Sequence, residues 1–383
     1  MQESFLPTSG RMTFLAGLQS SGRYRYSRYN GLPLRYAGGK SLAVGHILEH
    51  LPDDVESLAS PFLGGGSVEI ACAKELDMRV RGYDLFDVLA NYWKIQLRSP
   101  RRLADRIEEW TPTKTNYEKV KRRLKAHWTR TRPIEDRLEL AAHYWFNHNL
   151  SYGPGFLGWM SRIYEDRDRF ARLVGKVRSF RCPNLKVDQG SFQATMPKHE
   201  RDFLYCDPPY YLDGDSRMFR GIYPQRNFPV HHRGFDHAAL RGLLRAHTGG
   251  FILSYNDCKT VRKWYSGCRI IEVQWQYTLG QGETRIGKNR IENGTRHHVK
   301  ESHELLIIGE RRRIRNRCET ATSACAAPRA AISATSPRGA AHRRRGGLPE
   351  PEGERRLRYW KNTPDSPAAS RATSKGDNSE HAQ

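Results

Sequence analysis

The segment DFLYCDPPYYL, residues 202–212, sets a carboxylate, two prolines and two tyrosines directly behind a short apolar run. The run reads as a buried strand, so Asp207 stands at a strand's carboxyl end, the edge where open α/β sheets bind their ligands. Pro208 and Pro209 fix φ and carry no N–H, which leaves the Pro208 carbonyl as a pure acceptor beside Asp207. Two neighbouring acceptors suit an amine conjugated to a ring. Accepting both of its N–H bonds favours a pyramidal nitrogen with an exposed lone pair. Tyr210 adds a flat face on which such a ring can stack, whereas Tyr211 gains no role and is assigned to packing.

A second constellation is SPFLGGGSVEI, residues 60–70, with Gly64, Gly65 and Gly66 where a strand gives way to a helix. Glycines there serve either a tight turn or a close approach of the backbone to a ligand, and the spacing is not the G-x-G-x-x-G of dinucleotide enzymes. Asp84 favours the ligand: it lies about 20 residues on, at the end of the next strand, where a carboxylate can accept both hydroxyls of a ribose. A third stretch, LRYAGGKS at 34–41, offers a close turn at Gly38–Gly39, a cation at Lys40 and a ring at Tyr36. It is not a P-loop, because Leu34 occupies the position of the first glycine that motif needs.

The elements that must carry these groups alternate. VESLASPF (55–62) and MRVRGYD (78–84) read as strands on either side of the helix that follows the glycines, which makes a βαβ unit. From about residue 88 to 177, YEKVKRRLKAHW, IEDRLELAAHYWFNHNL and EDRDRFARLVGKV have helical spacing and little strand signal. Strands return at LKVD (185–188), DFLYCD (202–207), GGFILSYND (249–257), RIIEVQWQY (269–277) and HELLIIGE (303–310), with a helix over 236–247. The expected fold class is therefore α/β, a sheet with helices on both faces and an inserted helical lobe. The boundaries are residues 31–98 and 180–310 for the sheet domain and 99–179 for the insert. Residues 1–30, rich in Ser, Gly, Arg and Tyr, read as a disordered arm, and 311–383, rich in Ala, Pro, Ser and Arg, as a basic disordered tail. Tyr144, Trp145 and Phe146 are expected to be packing aromatics rather than base readers.

Composition sets the partner class. Sixty-four Lys and Arg against 41 Asp and Glu leave a formal +23 on 383 residues. Of this, +9 lies from Arg311 onward and +14 on residues 1–310, so the folded part is basic in its own right and a polyanion is the expected partner. Seven cysteines, odd in number and without CxxC pairing, argue against a disulfide framework or a zinc site, and His231, His232, His297 and His298 suggest no metal. No apolar run reaches the roughly 18 residues of a membrane span. A cytoplasmic protein without a membrane partner is the expectation.

YAGGK, PFLGGGSVE, GYD, DPPY and the closing HELLI, in that order, resemble the DNA adenine-N6 methyltransferases of the Dam type, over roughly Leu34 to Glu310. The resemblance implies a Rossmann-like methyltransferase sheet, S-adenosyl-L-methionine as cofactor, double-stranded DNA as substrate, a cognate restriction endonuclease as a possible companion, and a monomeric enzyme. Carried onto this chain, Tyr36, Lys40, Phe62, Gly64, Gly66, Asp84 and Asp207 would contact the cofactor, while Asp207, Pro208, Pro209 and Tyr210 would hold the target amine. FNHNLSYGPGF at 146–156 resembles the family's N-R-x-x-x-x-G segment. The chain departs from the pattern at Ser60, where the family usually has Glu, and after Gly158, where the family's F-N-x-P-F-G hairpin is missing. A rebuilt recognition surface follows, for which residues 276–300 are the candidate, with a solvated loop as the alternative reading. The rival functions are methylation of RNA or of another amine on the same scaffold, and a DNA-binding relative that has lost catalysis.

Overall fold

The computed structural model describes residues 10–21, 25–36, 38–153, 155–211, 235–273, 276–277, 300–301 and 304–312. Met1–Arg315 forms one compact unit, and a second, Asn316–Gln383, lies outside the described residues. The core of the first unit is a seven-stranded sheet. Its strands are β1 (Ser57–Ser60), β2 (Arg79–Asp84), β3 (Leu185–Gln189), β4 (Phe203–Cys206), β5 (Phe251–Asn256), β6 (Arg269–Val273) and β9 (Glu304–Gly309), in the spatial order β3-β2-β1-β4-β5-β9-β6. Two further strands, β7 (Gln276–Tyr277) and β8 (Lys300–Glu301), form a separate antiparallel pair. β1 to β5 are mutually parallel, whereas β9 runs antiparallel between β5 and β6.

This order places the functional edge. From β1 the chain steps outward to β2 and β3, then crosses back to β4 on the other side of β1. The carboxyl ends of β1 and β4 therefore flank the crevice where open α/β sheets take ligands. The central strands FLYC and FILSYN are buried along their whole length, as parallel strands covered on both faces must be. β2, nearer the edge, alternates arginines outward with Val80 and Gly82 inward.

Helices α1 (Gly10–Leu18), α2 (Val44–Glu49) and α3 (Ser67–Glu75) lie on the amino-terminal side of β2, with α3 as the β1–β2 crossover. The segment expected as a disordered arm differs from that expectation over its described part. Leu15, Leu18, Tyr26 and Tyr29 are buried in the main core, and the Tyr29 hydroxyl donates to Glu75 at 2.8 Å. The physical reason is that a few spaced aromatic and Leu side chains suffice to dock a polar segment onto an existing apolar surface.

Between β2 and β3 come α4 (Asp87–Arg98), α5 (Pro100–Glu108), α6 (Lys114–Trp128), α7 (Arg137–Leu150) and α8 (Arg167–Ser179). Their starts are written in the sequence: Thr113, Asp136 and Asp166 each accept a backbone N–H in the first turn, and Pro100 opens α5. The insert is not packed apart from the sheet. One apolar cluster runs from Leu58 and Val80 through Trp93 to Leu103, Tyr117 and Val174. Tyr144, Trp145 and Phe146 on α7 are buried within it, in the packing role expected of them.

α9 (Phe192–Thr195) follows β3, and α10 (His237–Ala246) and α11 (Lys259–Trp264) follow β4 and β5. Leu240, Leu244 and Val261 of these helices cover β4 and β5 in a second cluster. Among the described residues no helix is long and apolar enough to cross a membrane. The recognition candidate at 276–300 falls outside the described residues except for β7 and Lys300. So do His231, His232, His297, His298 and the tail beyond Arg312.

Candidate active site

Asp207 is the first residue past β4, and the chain segment that reaches it from afar is the Gly38–Lys40 turn. Lys40 Nζ stands 2.8 Å from the Asp207 carboxylate, donates to the Gly38 carbonyl at 3.2 Å, and lies 4.0 Å from Glu304. Burial pushes the Lys40 ammonium down, but Asp207, Glu304 and Glu69 outweigh it, and the net shift is upward, so Lys40 stays charged. Burial likewise lifts the Asp207 carboxyl above its ordinary range, opposed by Lys40 and the Tyr210 hydroxyl. The Asp207 side chain keeps 21% of its surface exposed, whereas Lys40 keeps only 4%. The carboxylate is thus held on its inner side and open on the other.

Tyr210 sits differently from the open stacking face expected of it. It is buried, its hydroxyl donates to Glu304 at 2.6 Å, the Lys40 ammonium lies 5.1 Å over its ring, and Tyr255 stacks on it at 6.0 Å. The reason is the buried carboxylate on β9, which gives the phenol an interior partner. Pro208 is buried and Pro209 half-buried between these two anchors. Tyr211 packs against Trp264, consistent with the packing role assigned to it.

Across the crevice, Gly64 and Gly66 adopt positive φ, 49° and 67°, which admits the sharp turn out of β1. At Gly65 a Cβ would stand 2.5 Å from that of Tyr36, so the half-buried Tyr36 ring lies directly on the glycine backbone. Asp84 clamps the turn from β2: Gly64 N donates to it at 2.9 Å and Phe86 N at 2.9 Å. Trp93 Nε1 donates to the Gly64 carbonyl at 2.9 Å. Burial raises the Asp84 carboxyl to about 6 against those two N–H donors. Each of its oxygens still has lone-pair capacity, and the residue is half-exposed, so it can accept hydroxyls from outside. Phe62 packs against Phe192 and Phe235, at 5.5 and 5.8 Å, in an aromatic ledge beside the ends of β1 and β3. The ring is half-buried.

At Ser60 the hydroxyl donates at 2.6 Å to the carboxylate of Glu69, one turn into α3, and both are buried. Burial raises Glu69 to about 7. The chain therefore does keep a carboxyl group behind the glycine turn, supplied by the helix rather than by the strand.

The structure thus brings Tyr36, Lys40, Asp84, Gly64, Gly66, Asp207 and the two prolines to one sheet edge, with Phe62 on the flank. Comparison with known proteins gives this arrangement its family. The family model of the D12 class N6 adenine-specific DNA methyltransferases matches residues 36–279, well over half of the chain. The chain belongs to that family. Its sheet is accordingly a Rossmann-like methyltransferase sheet. The DNA adenine methylase of Vibrio cholerae is 25% identical over 279 residues, 68% of this chain and 92% of the relative. Modification methylase StsI of Streptococcus sanguinis is 24% identical over 200 residues, and Type II methyltransferase M.FokI of Planomicrobium okeanokoites 24% over 210. These matches take in 49% and 51% of this chain but only 30% and 31% of those two longer relatives.

Three residues of this D12 site were not singled out by sequence reasoning. Glu304 lay inside a strand-like run as an apparently ordinary edge charge, Phe192 and Phe235 in unmarked loops. Only Glu304 carried a usable signal, an acid opening a run of five otherwise apolar residues.

Proposed function

We propose that this chain transfers a methyl group from S-adenosyl-L-methionine to the N6 amine of adenine in double-stranded DNA. The observation that carries the reading is the Asp207 carboxylate, held by Lys40 at 2.8 Å yet still open, across the switch point from the glycine turn. The residues fit the cofactor chemically. The glycines and Tyr36 form a close backbone floor, Asp84 accepts ribose hydroxyls, and the ledge of Phe62, Phe192 and Phe235 suits the flat face of an adenine. When bound, the cofactor supplies an electrophilic sulfonium methyl.

The chain's own residues hold the acceptor. Asp207 and the Pro208 carbonyl accept the two N6 hydrogens, which keeps the lone pair out of the ring and points it along the transfer axis. Lys40 and Glu304 hold the tetrapeptide from behind, so most of the rate gain is positional. The proton shed after transfer leaves on the Asp207 side, toward a carboxyl that burial lifts above its ordinary range. The base must come out of the duplex, at a cost of a few kcal/mol, and the net positive charge of the chain offsets part of this through phosphate contacts.

Asp207→Asn tests the assignment. Methylation of plasmid DNA, read as N6-methyladenine by mass spectrometry, should fall at least about a hundredfold, while DNA binding in a mobility-shift assay is retained. Undiminished methylation would remove Asp207 from the chemistry. Methyl incorporation into RNA but not DNA would favour the rival substrate. The names of two relatives support DNA modification beside a cognate restriction endonuclease as the setting. A monomer in the cytoplasm completes the reading, checked by a light-scattering mass equal to one chain.

A further inference from the structure

Glu304 is the first residue of β9, paired in register with Asn256 of β5, and is 1% exposed. A carboxylate taken so far out of water is costly unless it is well partnered, and the rest of β9, Leu305 to Ile308, is apolar. Its partners include the Tyr210 hydroxyl at 2.6 Å and the Lys40 ammonium at 4.0 Å. Both also bear on Asp207: Lys40 lies 2.8 Å from its carboxylate, and the Tyr210 hydroxyl is close enough to pull its carboxyl down. The same pair of donors is therefore divided between two carboxylates, one buried on β9 and one open to the crevice.

We propose that Glu304 is a positioning residue for methyl transfer, which draws the Tyr210 hydroxyl and part of the Lys40 charge away from Asp207 and so keeps Asp207 lone pairs for the target amine. The inference rests on the reading of Asp207 as the acceptor of that amine. A carboxylate offers about four acceptor sites. Lys40 lies 2.8 Å from each Asp207 oxygen. A hydroxyl has one proton to give, and while it is given to Glu304 it cannot occupy a further site on Asp207. The antiparallel strand between β5 and β6 thereby governs the basicity of a group at the end of β4.

The test uses the full chain with E304Q, Y210F and the E304Q/Y210F double variant. Glutamine keeps the volume and an acceptor oxygen but loses the charge, so the Tyr210 hydroxyl and Lys40 turn toward Asp207. Single-turnover methylation of plasmid DNA should slow about tenfold or more in E304Q. The affinity for S-adenosylmethionine, measured by calorimetry, should stay within about threefold. The double variant, lacking the competing hydroxyl, should transfer faster than E304Q alone. A role confined to fold stability predicts the reverse, losses that multiply in the double variant and follow the melting temperature, and that result overturns the proposal. A second readout does not depend on activity. Carbon-13 NMR of Asp-labelled protein, assigned with Asp207→Asn, should show the Asp207 titration midpoint falling in E304Q and recovering in the double variant. An unchanged midpoint also overturns it. Absence of DNA methylation by the wild-type chain would count against the function proposed above instead, leaving the NMR result to decide the role of Glu304.

Discussion

Asp84 has two duties that a pH series can separate. It holds the glycine turn through Gly64 N and Phe86 N, and in the function proposed above it also accepts the ribose hydroxyls. Its carboxyl is raised to about 6 in the folded chain, against about 3.9 when unfolded. A ribose hydroxyl needs the ionised oxygen as acceptor, so the affinity for S-adenosylmethionine should be level above pH 7 and weaken by up to about tenfold per unit below pH 6. Calorimetry between pH 5 and 8 reads this. Asp84→Asn should bind weakly and with a flat profile, and a flat profile in the wild type would take Asp84 out of the ribose site. Gly65→Ala probes the opposite wall. Its Cβ would stand 2.5 Å from that of Tyr36, so the ring or the turn must move. Cofactor affinity should drop about tenfold or more, with a destabilisation of about 1–3 kcal/mol in chemical denaturation.

Elements differ in how far the sequence discloses them. Strands β1 to β5 and the helices α6 to α8 were legible because each carries its own apolar run or period and, in the helices, its own cap at Thr113, Asp136 or Asp166. The DPPY segment and the glycine turn were legible for a related reason: their chemistry is local to a few consecutive residues. Glu304 was not, since its meaning depends on β9 inserting antiparallel beside β5, a pairing that no local pattern encodes. The docking of Tyr26 and Tyr29 was hidden in the same way. The loop after α7 is an intermediate case. The sequence lacks the expected hairpin motif, yet Ser151 and Met160 form an antiparallel bridge there, and Tyr152 N donates to the Trp159 carbonyl at 2.6 Å. Leu157 N on Asn147 and the Tyr117 hydroxyl on the Gly158 carbonyl brace it from within. It presents Trp159 at 77% and Tyr152 at 52% exposure. Two exposed rings on a loop braced in this way suit stacking on bases, worth about 1–3 kcal/mol per base. Trp159→Ala should therefore weaken DNA binding by about fivefold to a hundredfold, with cofactor affinity and melting temperature unchanged. Equal DNA affinity would assign the loop to the fold alone.

At the scale of the whole molecule, buried ionisable groups of opposite behaviour set the response to acid. His148, packed between Tyr36 and Tyr144, is pushed down to about 3, by burial first and by the Arg35 charge second. His143, against Trp110, is pushed down to about 4 by burial, with Arg106 and Arg123 adding to it. A depressed folded value means that the unfolded chain binds these protons first. Their stabilisation is complete above about pH 6.5 and is lost as pH falls toward 4 and 3, at up to about 1.4 kcal/mol per unit for each histidine. Asp84 and Glu69 work the other way. Raised to about 6 and about 7, they bind protons in the folded chain before the unfolded one does, so they add stability on acidification and lose it as pH rises through those values. Between about pH 6.5 and 4.5 the two histidines and the two carboxyls oppose each other, and this balance can be unpicked one group at a time. His148→Phe keeps a ring on Tyr36 and removes one titrating base, so its unfolding free energy should rise relative to wild type as pH falls from 6.5 to 4.5. Glu69→Gln keeps an acceptor for Ser60 and removes one carboxyl, so its free energy should fall relative to wild type over the same interval. Denaturant titrations at four pH values measure both slopes. If the two variants follow the wild-type slope, these buried groups do not titrate as their burial requires, and the acid response must come from the ion pairs at the surface.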